Sequence, residues 1–344
     1  MKKLQPTEYM YASARIRAME NRMVGRERID VLADAKSGED VVNKLAEYGI
    51  VPPDGGEGGT ALAGEAMVRA RESMLLSLLR EAYREVATSV PEPSVYDWFR
   101  YPYDCNNIKA VIKCQIRNID PAELLFDFGK VPADVTVDAL TKGNYDVFPP
   151  AMARAAQEAR DVYAKTGDPQ QIDALLDIAC YEDMLASAEA SGSETMLAWV
   201  KTKVDLVNIM ICLRILRMKR GETGKIFMDT CLLPGGYLPA SFFDTAYENG
   251  EDSLWSELAR GKYGRLADAV EKTDRSLSAI ERCTDHHWMT LVRGDAKVPF
   301  GAEVAGGYLV GVEVSVKNIR IILAAKDAGL SSDVLRERIR ESYV

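Results

Sequence analysis

The sequence predicts an all-α protein, built as three similar helical-bundle domains in series, and three observations predict it. Apolar residues recur with the 3.6-residue period of amphipathic helices over most of the 344 residues, while the alternation of β-strands is almost absent. Three strongly apolar segments each carry an Asn-Ile pair, at Asn107, Asn208 and Asn318, 101 and 110 residues apart. A second landmark precedes each of them in the same order: DVVNKLAEYG, VTVDALTKGNYDVF and ASFFDTAYENGEDSLW, all short, half-apolar and containing a Tyr. A period above 100 residues exceeds the ~20–50 residues of a solenoid unit. It divides the chain into helical domains at 1–119, 120–224 and 225–344.

From the N-terminus, one long helix is expected from Glu8 to about Asp34, rich in Ala, Arg, Met and Glu. Lys36-Ser37-Gly38 breaks it, and a short amphipathic stretch follows from Asp40 to Tyr48. VPPDGGEGG is a loop, because Pro and Gly sustain neither regular structure. Helix returns from Gly64 to Thr88, with Met67, Met74, Leu75, Leu78 and Leu79 along its apolar side, and PEPS ends it.

The marked segments are YDCNNIKAVIKCQIRN (103–118), VDLVNIMICLRILRMKRG (204–221) and EVSVKNIRIILAAKDAG (313–329). In the first two an acid stands three residues before the Asn, as Asp104 and Asp205, and the third has Ser315 there. Three residues is close to one helical turn, so acid and amide share a face. Leu197, Val200, Val204, Val207 and Ile211 form one stripe of the second helix; Leu309, Val312, Val316, Ile319 and Leu323 form one of the third. Further apolar residues flank each stripe, so these helices are central in their bundles. Polar groups on such helices are buried and need partners, either backbone groups at helix ends or arginines of neighbouring elements. The six residues Asp104, Asn107, Asp205, Asn208, Ser315 and Asn318 therefore read as a repeated structural polar motif.

Composition excludes several function classes. Asp and Glu number 52 against 43 Lys and Arg, a formal net charge of −9, which lacks the basic footprint of a nucleic-acid binder. The six cysteines form no CxxC and read as small apolar residues of a reducing compartment. The opening MKKLQPTEYMYASARIRAMEN is polar where a signal peptide needs an apolar run. The most apolar stretch, VDLVNIMICLRIL, is interrupted by Asp205 and Arg214 and falls short of the ~20 residues of a membrane span. The expected location is the cytoplasm, with no direct membrane insertion.

No catalytic, cofactor-binding or metal-binding constellation emerges. The only histidines, His286 and His287, are adjacent and point about 100° apart on a helix, so they cannot share a metal as an i, i+4 pair does. Cys283 and His286 could share a face but have no second ligand pair nearby, and read as a buried thiol and a surface imidazole. RGETGKI (220–226) has Ile226 where a phosphate loop needs Ser or Thr, and reads as a helix stop after Lys219 and Arg220. GGEGG (55–59) is a flexible loop between helices.

Together, YMYASARIRAMENRM, YDCNNIKAVIK, VDLVNIMICLRILR and VKNIRIILAAKDAGL, in this order and spacing, resemble the C subunit of the bacterial and archaeal V/A-type rotary ATPases. Its eukaryotic counterpart is the d subunit of vacuolar ATPases. The resemblance spans essentially the whole chain. It departs from the family at Ser315, where an acid is commoner, and at Met210, where the other copies carry Lys109 and Arg320. It implies three bundles arranged with pseudo-threefold symmetry into a funnel, and a non-catalytic rotor element without cofactor. The implied partners are the central-shaft subunits and the membrane proteolipid ring, which would hold the chain at the cytoplasmic face of the membrane. Arg15, Arg17 and Arg22 lie in a strongly matching segment and are candidates for contact with partners. The alternative function is a free-standing all-α scaffold or adaptor.

Overall fold

The computed structural model describes residues 5–51, 64–218 and 221–344. Among them every regular element is helical. The α-helices run, in order, α1 Met10–Glu20, α2 Arg26–Ala33, α3 Gly38–Glu47, α4 Glu65–Ser89, α5 Tyr101–Arg117, α6 Ala133–Lys142, α7 Pro150–Thr166 and α8 Pro169–Ala190. They continue as α9 Glu194–Met218, α10 Gly221–Cys231, α11 Ala240–Asn249, α12 Glu251–Arg260, α13 Gly264–Glu271, α14 Leu277–Asp295, α15 Ala302–Asp327 and α16 Ser332–Arg336. The loop expected at VPPDGGEGG falls, from Pro52 onward, outside the described residues, as does the helix stop expected at Lys219 and Arg220. Residues 221–231, which include GETGKI, are helical.

The chain divides into two compact units, Ser94–Leu277 and Leu4–Pro93 with Ser278–Val344. Residues 119–120 lie just past α5, and residues 224–225 lie within α10. The three upstream landmarks fall on α3, α6 and α11, each a ten-residue helix.

In the first unit α5 packs on α6 and α8, α8 on α9, and α9 on α10 and α11. α7 and α8 form a hairpin whose turn follows from its residues. Gly167 takes the left-handed conformation (φ 65°) that ends α7, the Asp168 side chain caps α8 by accepting from Gln170 N–H at 2.9 Å, and Pro169 fills the first position. The core is aliphatic and sulfur-rich along α9, where Met196, Trp199, Val200, Val204, Ile209, Cys212 and Leu213 are fully buried.

In the second unit the 26-residue α15 packs against α1, α2, α3, α4 and α16. Small residues make this closeness achievable. A Cβ on Gly307 would lie 2.7 Å from both Ala296 Cβ and Tyr343 Oη, and one on Gly311 would meet Met23 and Tyr343 within 2.8 Å.

The single helix expected from Glu8 to Asp34 is instead two, α1 and α2, separated by a turn at residues 21–25. The carbonyls that the turn releases are satisfied from outside the helix. Val24 accepts from the Ser315 hydroxyl at 3.1 Å, while Arg22 and Met23 accept from Arg28 Nη1 at 2.8 and 3.2 Å. Tertiary partners thus offset the lost helical hydrogen bonds, and local propensity does not decide the boundary.

Candidate functional site

Asp104 and Asn107 on α5 are both 0% exposed, and so is Asp205 on α9, with Asn208 at 2%. Each amide grips one peptide group of a loop downstream of its own helix. Asn107 Nδ2 donates to the Phe126 carbonyl and Asn107 Oδ1 accepts from Phe126 N–H, both at 2.8 Å. Asn208 does the same to Leu233, again at 2.8 Å for both bonds. A carboxamide is the side chain that matches a peptide group in both directions, which explains the residue type.

Each acid then holds the next part of the same loop. Asp104 accepts from Lys130 N–H at 3.0 Å and Val131 N–H at 2.9 Å. Asp205 accepts from Tyr237 N–H and Leu238 N–H, both at 3.0 Å. In both loops the acid's partners stand four and five residues beyond the amide's partner. In both, a glycine immediately precedes them. A Cβ on Gly129 or Gly236 would lie 2.1 Å from the carboxylate Oδ1 of Asp104 or Asp205, so only glycine lets backbone and carboxylate meet.

The two clamps differ in their third contact. Arg100 binds the first loop from outside, donating from Nε to the Phe128 carbonyl at 3.3 Å and from Nη2 to the Gly129 carbonyl. Tyr263 donates its hydroxyl to Asp205 at 2.5 Å in the second. Burial pushes the Asp104 carboxyl up to about 6, against the pull of its two backbone donors and Arg100. Burial also raises Asp205, against its tyrosine and backbone donors. The Tyr263 hydroxyl is raised in turn, by burial and by donating to a carboxylate.

The third copy keeps the amide and replaces the acid. Asn318, 0% exposed, donates to the Arg340 carbonyl at 2.9 Å and accepts from Arg340 N–H at 2.8 Å. Ser315 turns to other partners, donating to the Val24 carbonyl and, at 2.9 Å, to the Gly311 carbonyl. The C-terminal segment is held further by Arg340 to Asp285 at 2.5 Å and by Arg26 N–H donating to the Val344 carbonyl at 3.0 Å.

The six motif residues thus lie on three helices and do not come together in one site. The partners of the two acids are backbone N–H groups and, for Asp205, a tyrosine; among the described residues no arginine hydrogen-bonds to either carboxylate. One buried acid of the same kind escaped the sequence reading. Asp183 on α8, 5% exposed, accepts from Ala151 N–H at 3.0 Å and Met152 N–H at 2.8 Å at the start of α7. The signal for it was an acid on an apolar helix facing a Pro-Pro helix start.

The other sequence candidates have local roles. Arg15 pairs with Glu85, and Arg17 pairs with Glu20 at 2.9 Å and donates to the Ala296 carbonyl. Arg22 is exposed. Cys283 and His286 are both half-buried, in place of the expected buried thiol and surface imidazole, and burial lowers the His286 imidazole. Among the described residues no three His, Cys, Asp or Glu side chains converge as metal ligands, and no helix is long and apolar enough to cross a membrane.

The chain is similar to known proteins along nearly its whole length. The model of the ATP synthase (C/AC39) subunit family matches residues 12–338. The A-type ATP synthase C subunit of Methanosphaera stadtmanae is 24% identical over 351 residues, covering 96% of this chain and 87% of the relative. That of Pyrococcus abyssi is 24% identical over 346 residues, covering 97% and 91%. The V-type sodium ATPase C subunit of Enterococcus hirae is 23% identical over 281 residues, covering 81% and 82%. With a family match running over nearly all of its length, the chain belongs to the ATP synthase (C/AC39) subunit family.

Proposed function

We propose that this protein is the C subunit of an A/V-type rotary ATPase, a non-catalytic rotor element that joins the central shaft to the membrane proteolipid ring. The observation that carries the reading is the family match over residues 12–338, together with relatives named as the C subunit of both A-type and V-type enzymes. The chemistry of the buried polar groups agrees with a mechanical role. The oxygens of Asp104 and Asp205 are occupied by backbone N–H donors, an arrangement that fixes loops. Torque transmission needs stiffness, and close-packed helical interiors with saturated polar clamps resist deformation.

In this reading the chain comprises three modules, each built on one Asn-bearing helix, arranged around a pseudo-threefold axis. The protein sits at the cytoplasmic face of the membrane and binds there through other subunits. The test is a rotary complex from cells lacking this chain. Its soluble sector should still hydrolyse ATP, ATP-driven ion transport should be lost, and the purified protein should restore it. Unchanged transport in the deletion would contradict the proposal.

A further inference from the structure

In the second unit α1, α4 and α15 pack on one another, and a groove of about 640 Å³ lies between them. Residues 78–85 of α4 and 308–316 of α15 each line it with one stripe, two turns or ~10–12 Å long. Its apolar surface is open to solvent: Leu78 and Val312 are half-buried, and Ala18 on α1 is exposed. Most of its charges are already answered. Arg15 pairs with Glu85, and Glu81 has Arg84 at 3.8 Å. The exposed Arg22 also lines the groove, and its guanidinium has no partner among the described residues. A second donor waits deeper in. Tyr308 is only 7% exposed, yet its hydroxyl hydrogen-bonds to nothing among the described residues. Burial first, then Glu81, Glu85 and Glu20, push that hydroxyl up to about 12, so it stays a protonated donor.

We propose that this groove receives an acidic amphipathic helix of another protein of the rotary complex, an inference that rests on the function proposed above. Charge and shape select that occupant. The one unanswered charge is positive, in a chain whose net charge is −9, so it calls for a carboxylate. The Tyr308 hydroxyl calls for one more acceptor oxygen, because a buried polar group without a partner is costly. Between them the open surface is apolar and about two helical turns long, which suits anchors at i, i+3 or i+4, and i+7 of a docked helix. Arg15 is not part of the recognition, since Glu85 and the Tyr11 hydroxyl already hold it.

The test measures binding of the full-length protein to a rotary complex depleted of this chain, across a range of salt concentrations. Arg22→Glu reverses the unanswered charge, and Ala18→Trp fills the groove. Each should weaken binding about tenfold, and Arg22→Glu should also flatten the salt dependence. Both positions are exposed, so the unfolding transitions should match wild type. Tyr308→Phe should weaken binding about threefold and leave stability unchanged, since its hydroxyl has no partner within the chain to lose. A stability loss in Tyr308→Phe would overturn its role as a free donor. Wild-type affinity in both Arg22→Glu and Ala18→Trp would overturn the groove while leaving the proposed place in the complex intact. Failure of the wild-type protein to bind the depleted complex would overturn that place, and the groove with it. Dimers of the purified protein in sedimentation, broken by Arg22→Glu, would overturn the heterologous partner in favour of a second copy of this chain.

Discussion

Asn208 and Leu233 exchange both hydrogen bonds of a peptide group, each at 2.8 Å, across 25 residues of chain. The same exchange joins Asn107 to Phe126 and Asn318 to Arg340. In all three cases a central apolar helix fastens the segment that follows it. Asn208→Leu removes both bonds and leaves a buried donor and acceptor of Leu233 unsatisfied. At roughly 1–3 kcal/mol for each of the two orphaned groups, the expected loss is about 2–6 kcal/mol in urea denaturation. A loss under half a kcal/mol would mean that water or a shifted loop replaces the clamp.

Asp205→Ala leaves three donors without an acceptor: Tyr237 N–H, Leu238 N–H and the Tyr263 hydroxyl. Destabilisation of about 3–5 kcal/mol is expected, the range for removing one partner of a buried charged contact. Tyr263→Phe removes one donor and should cost about 1–3 kcal/mol. A melting temperature for Asp205→Ala equal to wild type would point away from a structural role and toward contact with a partner.

Gly129→Ala and Gly236→Ala place a methyl group 2.1 Å from a buried carboxylate oxygen, so loop and acid must separate. Each should cost about 1–3 kcal/mol, as overpacking does. Gly294, inside α14 with open space around its Cβ position, is the control. Gly294→Ala, at the penultimate position of α14, should change stability by no more than about 0.5 kcal/mol, on the stabilising side. Equal effects at all three sites would remove the close-approach explanation.

Burial holds Asp104 at about 6, above the 3.8 of an unperturbed aspartate. The folded form therefore binds this proton more tightly than the unfolded chain does. The contribution favours folding fully below pH 3.8 and is lost as pH rises through about 6. The difference in stability between wild type and Asp104→Asn should shift against wild type over that window, by an amount on the order of 2–3 kcal/mol. A carboxyl-carbon NMR titration of Asp104 with a midpoint near 4 would contradict this.

Much of the fold could be read from the residues, because helical periodicity and buried polar positions are local signals. The apolar circumference of α9 already implied that Asp205 and Asn208 are buried. Their partners were not legible, since a backbone N–H 25 to 33 residues downstream carries no side-chain signature. The one sequence trace of the clamp is the glycine before the held residues, Gly129 or Gly236. The break between α1 and α2 was missed for a related reason. Residues 21–25 have no strong helix breaker before Gly25, and the turn is satisfied by Ser315, nearly 300 residues away in the chain.

In the proposed role this chain attaches to a membrane ring through protein surfaces and not through lipid. Flotation of the purified protein with proteoliposomes carrying the proteolipid ring, beside bare liposomes of the same anionic lipids, tests it most directly. Retention by the ring-bearing vesicles alone is expected. Equal retention by bare liposomes, or none by the ring-bearing ones, would contradict it.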